Sequence, residues 1–239
     1  MAEPFSPEET RRYARHLVLK GVGGAGQQAL RRARVLVVGA GGLGSPAIAY
    51  LAGAGVGTLG IADHDTVSLS NLGRQIIHTT EGVGTGKAES AAQFAQALNP
   101  YVNIHIHPER LDAENAASLI AGYDLVLDGT DNLATRRIVA AGAAKAGLPV
   151  VSGAVSMFDG HVTVFAPGGP QLADLYPETA DDADLPSCEA TGVLGPLTGV
   201  IGSLMAMEAV KLITGLGSPL IGRVLVYDGK DGRVSEFAL

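Results

Sequence analysis

The chain has 239 residues, 46% hydrophobic and 17% charged, with a net charge of −7. That length suits one large α/β domain, and that composition supplies a sizeable core and excludes global disorder. The 17 Lys and Arg are spread along the chain, which argues against nucleic acid as a main partner, and the one cysteine, Cys188, excludes both an intrachain disulfide and a zinc site of several thiolates.

The opening "MAEPFSPEETRRYARHLVLKG" has no apolar signal-peptide core, so the expectation is a cytoplasmic protein. A helix is predicted over residues 7–19, with Arg11, Arg12 and Arg15 among apolar positions. "RVLVVG" (34–39) reads as a strand covered on both faces, because its apolar run is near-continuous. Ser45 and Pro46 suit the N-cap and first turn of a helix running to about Ala54. A strand at 58–63 leads into a long polar loop, and "KAESAAQFAQALNP" reads as a helix stopped by Asn99-Pro100.

Next come a strand at 102–107, a helix at 112–121, a strand at 123–132 with a polar tip, a helix at 132–146 and a strand at 148–153. This alternation predicts a Rossmann-like, doubly wound, mostly parallel sheet. "GHVTVFAP" (160–167) is expected to add an antiparallel strand, and residues 168–191, acidic and aperiodic, a mobile crossover loop. The uncharged run at 192–207 falls short of the roughly 20 apolar residues of a membrane span. It is read as part of a helix (about 194–214) buried in the core or at a subunit interface, before a last strand at 223–229. No linker separates a second domain, and no membrane partner is expected.

Gly39, Gly41 and Gly44 have the spacing G-x-G-x-x-G. The first permits a tight turn, the second lets phosphate approach the backbone, and the third packs helix on strand. Asp63 ends the second strand, where a carboxylate can accept from a ribose. Neither signal separates a dinucleotide from ATP. The loop that follows does, because it carries Asn71, Arg74, Gln75 and Lys87. A triphosphate has a use for two extra cations and two amides that a pyrophosphate bridge lacks. Asp131 lies just past a strand end, where ligands bind in such sheets. It suits a Mg²⁺ ligand, an N-cap of the next helix, or both. Asp128 sits nearer the strand body and reads as structural. His64, His78, His105, His107 and His161 show no metal-ligand spacing and are assigned to surface or strand packing.

"VLVVGAGGLGSP", "DHDTVSLSNLGRQ", "GKAES", "LDGTDN" and "VSGAV", in this order, resemble the MoeB/ThiF/HesA family, relatives of ubiquitin-activating enzymes. The likeness covers nearly the whole chain, from "RYARHLVL" to "GVIGSLMAMEAVKLITG". It implies a homodimeric adenylyltransferase that uses ATP and Mg²⁺ to activate the C-terminal glycine of a ubiquitin-like sulfur carrier of the MoaD/ThiS type. The pathway would be molybdopterin or thiamin biosynthesis, with a cysteine desulfurase or a rhodanese as a candidate sulfur source. Carried over, Gly42 would touch phosphate or ribose, Asp63 the ribose, and Asn71, Arg74, Gln75 and Lys87 the phosphates. Asp131 would handle Mg²⁺ between Thr130 and Asn132 of the same nucleotide site, and Arg15 would reach the partner subunit's site.

Many members hold zinc through two Cys-x-x-Cys pairs. One would fall near "GGPQLADLY" (168–176) and the other after "RVSEFAL"; neither is present, so no zinc is expected. Cys188 sits where some relatives carry a cysteine that links covalently to the carrier, and it reads either so or as a bystander. Three other readings stand beside this one: an NAD-dependent oxidoreductase, a relative that adenylates a modified tRNA base, and a non-catalytic scaffold.

Overall fold

The computed structural model describes residues 4–180 and 192–239. Cys188 lies outside them, as does most of the acidic stretch of the expected crossover loop.

One eight-stranded sheet runs through the molecule in the order β3-β2-β1-β4-β5-β6-β7-β8. Its parallel half is β1 (Arg34–Val38), β2 (Thr58–Ala62), β3 (Asn103–His107), β4 (Leu125–Asp128) and β5 (Val150–Ser156). An antiparallel extension follows: β6 (Asp159–Phe165), β7 (Arg223–Asp228) and β8 (Arg233–Ala238). The register aligns Val38 with Ala62 on one side and Asp128 on the other. Gly39, Asp63 and the segment after Asp128 therefore leave the sheet side by side at its carboxyl edge.

Alternation along β1 splits the core in two. Val35 and Val37 pack with α4 (Gly44–Ala54), α5 (Lys87–Leu98) and the long helix Gly195–Thr214. Leu36 and Val38 pack with α6 (Ala116–Ile120), α7 (Leu133–Ala146) and the short α8 (Leu172–Leu175). The long helix, α9, is apolar and long enough to cross a membrane by length and composition alone. Here it packs on α3 (Gly23–Arg32), α4, β5 and β6.

Several expected elements change on inspection. The helix over 7–19 is two, α1 (Pro7–Arg12) and α2 (Ala14–Leu17), broken at Tyr13. Tyr13 turns inward and accepts from Asn99 Nδ2 at 3.0 Å. Ser45 is not the N-cap of α4. Leu43 holds that place, and the Ser45 hydroxyl is buried in the first turn without a hydrogen-bond partner. α7 is capped by Asn132, whose side chain accepts from the Thr135 amide at 2.8 Å, so Asp131 does not serve as the cap. α6 is shorter than expected, and both α3 and β8 lie where no element was read. Residues 168–180 include α8, stapled where Asp174 accepts from the Gln171 amide at 2.7 Å.

Candidate functional site

A cavity of about 390 Å³ opens along the carboxyl edge of the sheet. It is built at the switch point, where β1 is followed by the glycine turn on one side and β4 by its polar tip on the other.

The turn itself is over-determined. Gly39 has φ +92°, and a Cβ on Gly44 would stand 1.8 Å from the Gly39 carbonyl oxygen. Between them, the Ala40 amide donates to Asp63 Oδ2 at 2.8 Å, and the Ala40 carbonyl bonds His78 Nε2 at 2.9 Å. His78 in turn bonds Ser90 Oγ of α5 at 2.8 Å. This histidine is thus a buried strut and not a surface or strand-packing residue. Burial pushes its pKa down, and the Lys87 charge adds to this, against the opposing bond to Ala40. A neutral His78 donating from Nε2 and accepting at Nδ1 satisfies both contacts.

Gly41 is different. It lines the cavity, and an added Cβ would meet nothing nearer than Gln75 Nε2 at 3.6 Å. The fold has room there for a side chain, so the bare backbone serves the cavity and not the packing. Gln75 Oε1 is buried without a hydrogen-bond partner among the described residues. An open glycine turn at the head of α4 fits a phosphate-bearing ligand, and the orphaned acceptor beside it suits a ligand hydroxyl.

Around this cradle stand Arg74 and Lys87. Arg74 donates to the Ser70 carbonyl at 3.3 Å, and Lys87, at the first position of α5, bonds Asp65 at 2.9 Å. Burial raises the Asp65 pKa, but the Lys87 bond and charge, with His64 and Arg110, hold it below the ordinary carboxylate range. Lys87 is therefore aimed in advance, with a counter-ion that a phosphate can replace. Asp63, His64 and Asp65 place ligand atoms within 4.8 Å of one another. Both Asp63 oxygens already accept amides, from Ala40 and Asp65, and Asp65 holds Lys87, so the chain satisfies this group itself.

Asp131 is exposed on the cavity rim, with Oδ1 3.3 Å from Asn132 Nδ2. Its other carboxylate oxygen, which no described residue holds, suits a hard divalent cation. Beneath it lies a buried network. Asp128 pairs with Arg136 at 3.2 Å, and both take Ser152 Oγ as a further partner. Asp128 Oδ1 accepts from the amide and hydroxyl of Thr130 at 3.1 and 2.6 Å, and Arg136 also donates to the Thr130 carbonyl. The peptide that precedes Asp131 is thereby fixed.

The cavity gathers Gly39, Gly41, Gly42, Asp63, Arg74, Gln75, Lys87, Thr130, Asp131 and Asn132. Three other expected residues are not among its lining. Gly44 lies behind the turn, Asn71 is buried and accepts from the Ser68 amide at 3.2 Å, and Arg15 is exposed on α2. Asn71 shapes the loop that presents Arg74 and Gln75. Sequence reasoning passed over Asp65, Arg110 and Tyr176, and assigned His161 to surface or strand packing; all four line the cavity. Arg110 follows β3 as Asp131 follows β4, so the strand-end rule could have found it. His161 and Tyr176 carry no such signal.

Comparison with known proteins identifies the family. The ThiF family model matches residues 13–239. The chain is 50% identical over 232 residues to the probable adenylyltransferase/sulfurtransferase MoeZ of Mycobacterium tuberculosis, covering 95% of this chain and 59% of MoeZ. It thus spans about three fifths of that relative's length. It is 46% identical over 241 residues to the sulfur carrier protein adenylyltransferase of Thermus thermophilus, covering 98% of this chain and 89% of that protein. The crystal structure of Escherichia coli MccB with ATP matches with a TM-score of 0.79 at 18% identity, over 90% of this chain and 66% of that one, and shows the shared fold alone.

Proposed function

The chain belongs to the ThiF family, and from that premise we propose that it adenylates the C-terminal glycine of a small ubiquitin-like sulfur carrier. The carrier's carboxylate oxygen attacks the α-phosphorus of ATP. A new P–O bond forms, the bond to the bridging oxygen breaks, and pyrophosphate leaves with that electron pair. The product is an acyl-adenylate ready for later thiocarboxylate formation. No nucleophile from the chain is needed, only in-line placement and neutralisation of charge.

The observation that carries this reading is the pairing of an open glycine turn with two converging cations, Arg74 and Lys87, in one cavity. Gly41, Gly42 and the start of α4 would take phosphate, with Gln75 as a further donor. Asp63 would take the ribose, while Thr130 and Asn132 would frame the site. Asp131 would hold Mg²⁺, which supplies charge neutralisation to the phosphates when bound. Arg74 and Lys87 would hold the departing pyrophosphate. A dinucleotide leaves these cations without a task, which sets the oxidoreductase reading behind this one.

The reading extends to a cytoplasmic homodimer in which Arg15 serves the other copy's nucleotide. Tyr13 is anchored by Asn99, and His16 bonds Gln27 Oε1 at 2.8 Å, so α2 is braced on both sides of Arg15. The exposed Arg15 is thus presented outward on a fixed element. No zinc enters the scheme, and a cysteine desulfurase or rhodanese would supply sulfur afterwards. Cys188, as the covalent link to the carrier, is a separate proposal outside the described residues.

ATP–pyrophosphate exchange with each ubiquitin-like carrier of the same organism tests the proposal. Carrier-dependent exchange is expected. Exchange with none of them, together with quenching of nicotinamide fluorescence on binding, would replace it with the dinucleotide reading.

A further inference from the structure

The cavity has two chemically different halves, and the strand order separates them. Beyond β1, β2 and β3 its walls are Gly39, Gly41, Asp63, Arg74, Lys87 and Arg110. Beyond β5, β6 and β7 they are Ala154, Val155, Gly160, His161, Tyr176 and Val226. Asp131, after β4, stands between. Among the described residues, the charges of the second half are Asp159, which is exposed, and Arg136, which is committed to Asp128. Such a surface offers nothing to a triphosphate. It suits an uncharged stretch of extended chain.

Among the described residues, Tyr176 is the one residue of that half contributed from outside the sheet and the helix α9. It follows α8, and three contacts fix it there. Its hydroxyl bonds His161 Nε2 at 2.9 Å, their rings lie 6.1 Å apart, and its side chain joins the apolar cluster with Leu172 and Phe165. Past it, Arg137 Nη2 donates to the carbonyls of Pro177, Glu178 and Ala180 at 3.2, 3.3 and 2.7 Å. A buried tyrosine needs a partner for its hydroxyl. Here that partner is a cavity residue on β6, where a leucine or phenylalanine at 176 would pack as well without it. The bond fixes where the ring stands relative to the cavity.

Resting on the adenylation reading above, we propose that Tyr176, seated by His161, is a positioning residue for the second substrate. Its ring walls the β5–β7 half of the cavity and orders the carrier's glycine tail so that the carboxylate meets the nucleotide half. A glycine tail has no side chains to be read and is flexible when free. A rigid wall reduces the ordering cost of bringing its end into line.

The chain contains no tryptophan, so Tyr176→Trp installs a sole indole reporter. The probes are Mg-ATP and a purified ubiquitin-like carrier ending in Gly-Gly that supports exchange. The carrier is expected to shift the indole emission and to cut its quenching by acrylamide at least about twofold, while Mg-ATP alone leaves both nearly unchanged. In pyrophosphate exchange, Tyr176→Ala is expected to raise the carrier KM about tenfold or more, with the ATP KM moving less than about twofold. His161→Leu should match Tyr176→Phe, and the double variant should be no worse than either, because both remove one interaction. His161→Gln, which keeps a partner for the hydroxyl, should recover most of the loss. An unchanged carrier KM in Tyr176→Ala, an ATP KM rising in step with it, or an indole that answers ATP and not carrier overturns the inference alone. Absence of exchange by the unmodified chain with every carrier overturns the adenylation reading and this inference together.

Discussion

Asp63 accepts the Ala40 amide at 2.8 Å, joining the end of β2 to the glycine turn after β1. With His78 on the Ala40 carbonyl, the peptides on either side of Ala40 are both held. The cradle is therefore formed before any nucleotide arrives, and little ordering is left to the binding step.

Two glycines six and three residues past β1's last position should then separate packing from binding. A Cβ on Gly44 would meet the Gly39 oxygen at 1.8 Å, so Gly44→Ala should cost more than about 3 kcal/mol or prevent accumulation of folded protein. Gly41→Ala has 3.6 Å of clearance and should keep stability within about 1 kcal/mol, while ATP affinity falls about tenfold or more. Urea unfolding and calorimetric ATP titration of the two variants give the comparison. Equal stability losses would count against it.

Asp131→Ala should abolish carrier-dependent pyrophosphate exchange, by about a hundredfold or more, with stability changed by less than about 0.5 kcal/mol. The side chain is exposed and is not the cap of α7. Asn132→Ala makes the contrast, because it removes the cap and should cost about 1 kcal/mol. A folded Asp131→Ala protein with near-normal exchange defeats the assignment.

Arg15 is expected to act across a dimer. Homodimers of Arg15→Ala and of Asp131→Ala should each be nearly inactive. A heterodimer of the two has one site with both defects and one with neither. Subunit exchange should therefore restore up to about half of the unmodified activity per heterodimer. Parental activity after verified exchange, or a monomer by light scattering at micromolar concentration, rules out action in trans.

Burial lowers the His161 pKa from 6.5 to about 4, and the Arg136 charge works in the same direction. Between those values the unfolded chain binds the proton and the folded chain does not, so stability is full above about pH 6.5 and declines as pH falls toward 4. The whole shift corresponds to at most about 3 kcal/mol. Urea unfolding at pH 7 and pH 5 should show His161→Gln with a shallower loss than the unmodified chain. Parallel losses in both would place the pH sensitivity elsewhere.

Much of the parallel half was legible because β1 and β4 are buried on both faces and read as unbroken apolar runs. β8 gave no such signal. All six of its residues are exposed, and it exists by pairing with β7. α3 begins with two glycines and carries a third, so its propensity is poor. It forms because Gln27 donates to the Ala54 carbonyl at 2.8 Å and Leu30 enters the core. In the site, strand ends were legible and loop residues less so. Asn71 lies in the right motif yet spends its side chain on the Ser68 amide. Tyr176 and His161 meet only because a short helix returns the chain to β6.

The seven residues from Asp131 to Arg137 carry the cavity-rim carboxylate, the cap of α7, the buried partner of Asp128 and the grip on the segment after Tyr176. Each residue of a helix turns the next by about 100°. One inserted or deleted residue here would swing all the later side chains off their partners at once. A point substitution in this turn removes one of these roles, while a change of length removes several together. Descendants of this chain should vary in length at the β7–β8 turn and hold it constant between Asp128 and Arg137.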